Sequence, residues 1–250
     1  ATHRRDRPSS DLCQGGVPLQ REVLAELVAD LLIEHGIPSV SVELELLLPL
    51  SSCHWRLLGG AAGLGDATSL RVLAPEMTWP LSWQESYVAL TSLNDSDTAM
   101  VVGADRLILQ AWIDTVASAD LNLCQAEWLL VAAWRALQAL NASLEGEWVW
   151  LIESEGIWRL VLLREGLPEL DVALKATQLP SVRDEVLFLL DAWDQKQRQI
   201  GVRRSWWITA GPSWKGRWQE GHGAGLHGPL VSDGEMSLLQ LALKAYPSES

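Results

Sequence analysis

Cationic and aromatic side chains are densest between Gln195 and Gln219. There Lys196, Arg198, Arg203, Arg204, Lys215 and Arg217 occur with no acidic residue among them, interleaved with Trp206, Trp207, Trp214 and Trp218. Cations beside indole rings suit an anionic lipid surface, a nucleic-acid strand or an acidic peptide. The same residues also suit a solvated helix end followed by core tryptophans. Trp214 and Trp218, four apart beside Lys215 and Arg217, are the pair expected to be exposed, with Arg203 and Arg204 extending the patch. Elsewhere reactive groups are sparse. His222 and His227 have Glu220 and Asp233 as their nearest carboxylates, a spacing that fits no metal centre. Cys13, Cys53 and Cys124 form no CxxC or Cys/His pattern, so neither a disulfide framework nor a zinc site is indicated and a reducing cytosol is the expected compartment. No serine sits in GxSxG. Gly59, Gly60, Gly63 and Gly65 do not lie between a strand and a helix as a dinucleotide fingerprint requires.

The charge balance, 19 Lys plus Arg against 32 Asp plus Glu, gives a net charge of −13, which repels polyanions and argues against general nucleic-acid binding. At 48% hydrophobic, the 250 residues can bury a sizeable core. No apolar run approaches the roughly 18 residues needed to cross a bilayer, and the opening ATHRRDRPSSDLCQGG lacks the apolar core of a secretory signal, so a soluble protein is expected.

These groups need a scaffold, and the hydrophobic periods supply one. Residues 1–17 show no period and are expected to be a disordered lead-in. Apolar positions from Leu19 to Leu32 recur at helical spacing up to Gly36. Val40, Val42, Leu44 and Leu46 alternate with Ser41, Glu43 and Glu45 as a half-buried strand does, with the acids facing solvent. A short strand at His54–Leu58, strands at 83–93 and 98–102, a helix over 106–119, a strand at 121–126 and a buried helix over 128–140 follow. The stretch EWVWLIESEGIWRLVLLREGLPE, residues 147–169, is a strand hairpin turning at Glu155–Gly156; if the protein handles a nucleotide, a phosphate loop belongs there. A third strand at 170–174, a helix over 182–199, a strand at 205–209 and a helix over 235–246 complete a mixed α/β pattern.

From Thr98 onward this order resembles the second half of an actin-like ATPase domain. VVGADRLILQAWIDTVASADLNLCQAEWLLVAAWRAL, residues 101–137, is similar to a stretch of the type IV pilus assembly family PilM and of the related cytoplasmic domain of the type II secretion family GspL. The 147–169 hairpin resembles that family's second phosphate hairpin, SWWITAGPSWKG its adenosine strand and loop, and GEMSLLQLALKAY its closing helix. The resemblance implies an α/β, actin-like (ribonuclease H-like) two-lobed domain, shortened at its start, with a first lobe and inserted subdomain over 18–97 and a second lobe over 98–250.

Departures from the family pattern bear on activity. The family's Asp-x-Gly turn stands here as Ile152-Glu153-Ser154-Glu155-Gly156, and Ala210-Gly211-Pro212 keeps one of two adenosine-loop glycines. A second carboxylate at Glu155 would oppose phosphate, Pro212 removes a backbone donor, and the family's first phosphate loop has no counterpart in the polar lead-in. The resemblance therefore implies a non-catalytic cytoplasmic adaptor of a type IV pilus or type II secretion platform. It would sit at the cytoplasmic face of the inner membrane and bind the cytoplasmic tail of a PilN-like membrane protein through the exposed faces of Pro18–Leu48, with no cofactor required. The alternative is an ATPase of the same machinery that binds ATP and magnesium through Glu153, Ser154, Gly156, Ala210 and Gly211, with Glu153 as the metal ligand. A further alternative is a binding module using segment 195–219.

Overall fold

The computed structural model describes residues 12–59, 70, 83–93, 98–140, 145–154, 156–198, 202, 204–210, 230–231 and 236–246. The chain divides into two units, Ala1–Leu129 and Leu130–Ser250. That division falls later than the expected 97/98 boundary. The strand at Thr98 pairs back onto strands of the first unit, and so does the strand after the next helix.

The first unit opens with a short hairpin, β1 (Cys13–Gln14) against β2 (Val17–Pro18), in the region expected to be disordered. Its turn is possible because Gly15 and Gly16 both adopt positive φ, and the indole of Trp112 donates to the Gly16 carbonyl at 2.7 Å. Helix α1 (Arg21–Glu34) follows. A 3-10 turn at Ser39–Ser41 then replaces the expected start of the next strand and leaves Val40 96% exposed, so β3 is confined to Glu43–Leu48. Glu43 and Glu45 are exposed, as the alternation requires.

β4 (Cys53–Gly59), β5 (Ser86–Ser92) and β6 (Thr98–Asp105) form an antiparallel sheet in the order β4-β6-β5. β6 runs three residues past the expected end at Val102, and its last residue, Asp105, caps helix α2 (Arg106–Ser118) by accepting from the Leu107 and Ile108 amides at 2.8 and 3.3 Å. β7 (Asn122–Trp128) pairs in parallel with β3. Trp55 of β4 and Trp128 meet edge to face at 5.5 Å, so these two tryptophans are core material.

The second unit is built on one five-stranded sheet. β8 (Glu147–Ser154), β9 (Ile157–Arg164), β10 (Leu167–Ala173), β11 (Arg204–Thr209) and β12 (Leu230–Val231) lie in the order β10-β9-β8-β11-β12. β8 is antiparallel to β9 and parallel to β11. Because successive side chains point to opposite faces, the unbroken burial of Trp148 to Ile152 places β8 under cover on both sides. On one face Val149, Leu151, Leu160, Leu162, Trp206 and Ile208 pack with Val182, Val186 and Leu190 of helix α4 (Leu179–Gln197). Helix α3 (Leu129–Leu140) is buried on nearly all sides, and its Trp134 donates to the Gly166 carbonyl in the β9–β10 turn at 2.8 Å. The short helix α5 (Leu238–Leu243) starts at a capping box between Ser237 and Gln240.

Candidate functional site

The parallel pair β8–β11 brings the sequence candidates of the second unit to its two ends. At the carboxyl end, β8 pairs with β9 up to Ser154 opposite Ile157, with Glu153 opposite Trp158. Gly156 takes φ +79° in the turn, and its amide donates to Glu153 Oε1 at 2.8 Å. Thr209 of β11 pairs with Ile152, so the chain reaches Ala210 at the level of Glu153. Glu153, Ser154, Gly156 and Ala210 thus gather where ligands bind in open α/β sheets, at the carboxyl ends of the strands. Gly211 lies outside the described residues. Ala210 is 1% exposed and belongs to the hydrophobic core, which leaves its backbone as the part able to meet a ligand.

Glu153 closes its own turn. A single carboxylate in this role can accept hydrogen bonds or pair with a cation, but a magnesium or calcium centre needs several oxygen donors. Among the described residues no three His, Cys, Asp or Glu side chains come together to hold a metal.

The amino end of the same strand pair holds a buried ionic network. Arg204, 7% exposed, donates from Nε to Glu147 Oε2 at 2.9 Å and from Nη1 to Asp194 Oδ2 at 2.9 Å, while its Nη2 meets Asp194 Oδ1. Arg164 completes the set, reaching Glu147 Oε1 at 2.7 Å and Glu169 at 3.0 Å. Burial works to lower the Arg204 pKa, yet the hydrogen bonds and charges of Asp194 and Glu147 raise it above the ordinary arginine value. Burial pushes the Glu169 carboxyl upward, with Arg164 opposing and Glu147 reinforcing the shift.

Arg204 is therefore an internal tie of the second unit and not part of an exposed anionic-binding patch. Trp206 and Trp207 are likewise buried, at 3% and 5%. The other members of that expected patch, Arg203, Trp214, Lys215, Arg217 and Trp218, lie outside the described residues.

The other four members of the network, Glu147, Asp194, Arg164 and Glu169, were not candidates in the sequence reading, although for Asp194 a signal was present. Val182, Val186, Leu190 and Asp194 recur every four residues on one face of α4, so the acid that continues an apolar stripe points where the core is and requires a buried cation. Arg204, opening an apolar strand, is that cation.

In the first unit, the Pro18–Leu48 segment carries exposed apolar side chains at Val23, Ile33, Ile37 and Val40, at 39%, 75%, 43% and 96%. Helix α1 buries only Leu24 and Ala25 fully. Where exposed apolar groups join into one patch of several hundred Å², such a patch marks an interaction surface.

The order β10-β9-β8-β11-β12, three antiparallel strands continued by two parallel ones, is the core of ribonuclease H-like folds. A structure described as a PilM–PilN type IV pilus biogenesis complex matches 96% of this chain and 89% of its own, with TM-score 0.67 and 15% identity. This is the actin-like fold. A Bacteroides thetaiotaomicron protein of actin-like ATPase fold and unknown function matches 82% of the chain and 74% of its own at TM-score 0.54 and 10% identity. The cytoplasmic domain of EpsL, an inner-membrane component of the Vibrio cholerae type II secretion system, matches 92% and 80% at TM-score 0.50 and 15% identity. No family model and no curated protein matches the sequence. Among the described residues, no helix of this actin-like chain is long and apolar enough to cross a membrane.

The fold also alters one expectation about the nucleotide elements. The β1–β2 hairpin stands directly before α1, where the sequence had suggested only a polar lead-in. Its glycine turn is engaged within the first unit: a Cβ on Gly16 would come within 2.5 Å of Pro49 Cγ and 2.7 Å of Ser52 Oγ.

Proposed function

We propose that this chain is a non-catalytic adaptor of a type IV pilus or type II secretion platform, working at the cytoplasmic face of the inner membrane and binding the short cytoplasmic tail of a PilN-like membrane protein. The observation that carries this reading is the likeness in fold to the PilM–PilN complex over nearly the whole chain, and the likeness to the EpsL cytoplasmic domain supports the same kind of machine. The partner surface lies on the exposed apolar side chains of Ile33, Ile37 and Val40. An adaptor needs a rigid surface and no reactive group. The turn at Glu153 suits that role, because its carboxylate is turned back onto the Gly156 amide.

The test has two arms. In the first, a peptide copying the cytoplasmic tail of a PilN-like bitopic membrane protein from the same organism is titrated by calorimetry. Binding that is lost in Ile33→Glu and Val40→Glu supports the adaptor, and failure of the wild type to bind rejects it. In the second, melting is recorded with and without Mg-ATP at millimolar concentration. A nucleotide bound at about 100 times its dissociation constant adds about 2.7 kcal/mol. The adaptor reading expects no shift, an outcome that rejects the ATPase alternative; a rise of several degrees would show a retained nucleotide site and count against a purely structural role for the Glu153 turn.

A further inference from the structure

Strand β7 of the first unit pairs with β3 on one edge and, among the described residues, with nothing on the other. Three successive residues of β7, Cys124, Gln125 and Ala126, are exposed. Since neighbouring side chains in a strand point to opposite faces, exposure of three in a row shows that neither face is closed at this point. The pairing register shifts between Leu44 and Glu45, so Cys124 falls outside it, and its thiol meets the Leu44 carbonyl at 3.2 Å.

Helix α2 runs alongside with Leu109, Ile113 and Val116 at helical spacing. Together with Leu123, Gln125 and Ala126 of β7 they line an open groove of about 360 Å³. Where α2 ends, Asp120 joins Glu22 and Glu26 of α1 around a second depression of about 380 Å³. Leu121 lines the first and Asp120 the second, so the α2–β7 connection runs through both.

A strand with unpaired backbone groups beside an apolar helix face is the arrangement used to capture extended peptides: the main chain adds as a further strand and alternate side chains fill the groove. We propose that the α2–β7 groove takes an extended segment of a partner protein, with apolar residues at alternate positions and a lysine or arginine at one end. The apolar residues lie against Leu109, Ile113 and Val116, and the cation lies among Glu22, Glu26 and Asp120. Charge complementarity selects this occupant. The three acids repel an acidic segment or a nucleic-acid strand, and the apolar lining of the groove offers a small polar ligand few partners. Neither depression is lined by Ile33, Ile37 or Val40, and the proposal does not depend on the adaptor reading.

The probe is a fluorescein-labelled peptide of about eight residues alternating valine and lysine, with glutamate-for-lysine and proline-interrupted peptides as controls. Fluorescence anisotropy is expected to show binding of the lysine peptide alone. Ala117→Trp, which fills the groove from an exposed helix position, weakens binding by at least about tenfold. Glu26→Gln with Asp120→Asn weakens it and flattens its salt dependence; asparagine tolerates the positive φ that Asp120 adopts. Bound peptide also protects Cys124 from N-ethylmaleimide, read site by site by mass spectrometry. Ala126→Trp blocks the groove from the strand side and serves if Ala117→Trp does not fold. Absence of binding by the wild type, equal binding of the glutamate peptide, or indifference to both tryptophan variants would overturn the proposal. So would wild-type self-association that Ala117→Trp abolishes, since a second copy would then be the occupant. Loss of tail binding in Ile33→Glu with groove binding intact separates this site from the adaptor surface.

Discussion

Replacing Arg204 by methionine removes the centre of the buried network while keeping an apolar stem of similar length. The guanidinium holds Glu147 at 2.9 Å and both oxygens of Asp194, and the side chains of Arg204 and Glu147 are each only 8% exposed. Removing one partner of a buried pair costs about 3–5 kcal/mol, because the remaining charge is left in a poorly solvating environment. Here the loss belongs near the lower end, about 3 kcal/mol. Glu147 keeps Arg164 at 2.7 Å, and Asp194 is 20% exposed and regains some water. A loss of that size lowers the melting temperature by about 10 °C in a chain of this length.

Urea titration followed by tryptophan fluorescence suits the measurement. Trp206 and Trp207 follow Arg204 closely in the same buried strand, and urea leaves the ionic strength unchanged. The double variant Arg204→Met, Asp194→Leu is expected to recover part of the loss, since no orphaned acid remains on α4. A cost for Arg204→Met below about 1 kcal/mol is what an exposed ion pair would give, and it would refute the assignment of Arg204 to the interior. Binding of the protein to anionic vesicles, where it occurs, is expected to be unchanged by the same substitution.

Three further outcomes can be checked on purified protein. Burial, reinforced by Asp105, pushes the Cys53 thiol up to about 12, so Cys53 stays unmodified by iodoacetamide at pH 9 while exposed Cys124 reacts. The folded state holds the Cys53 proton longer than the unfolded chain does, so this group leaves stability intact below pH 9.0 and erodes it as the pH climbs toward about 12. Glu185 accepts from the Lys175 and Ala176 amides at 3.1 and 2.8 Å, and these hydrogen bonds lower its pKa from 4.5. Its stabilising effect is therefore present above pH 4.5 and lost as the pH falls through the lower folded-state value. Glu185→Gln should flatten that acid limb of an unfolding curve measured against pH. Gly16→Ala is expected to destabilise by about 1–3 kcal/mol in a denaturant titration; it adds a side chain at φ +85° that collides with Pro49 and Ser52. A neutral effect would show that the β1–β2 turn is not packed as described.

Most of the second unit was legible in the sequence because its signals are local. EWVWLIES and IWRLVLLR are apolar runs separated by a glycine turn, and a chain of that kind has little choice but to form a buried hairpin. The same holds for α2, whose cap Asp105 sits directly before its apolar stripe, and for Glu43 and Glu45, which take the wet face of β3. What tertiary structure decided depends on partners far away in sequence. β6 and β7 belong with the first unit because β4, β5 and β3 offer them hydrogen-bonding edges, and nothing in residues 98–128 themselves declares that choice. Residues 13–18 form a hairpin through contacts with Trp112, Pro49 and Ser52 that no periodicity announces. Arg204 looked like surface charge because six cations cluster along the chain; folding sends it inward, where Glu147 from one strand and Asp194 from one helix make a site that a linear count of charge does not contain. The physical reason is the same in each case. Hydrophobic period and turn chemistry act over a few residues and are written in order, whereas edge pairing and the solvation of a charge are fixed by whichever distant groups the fold brings alongside.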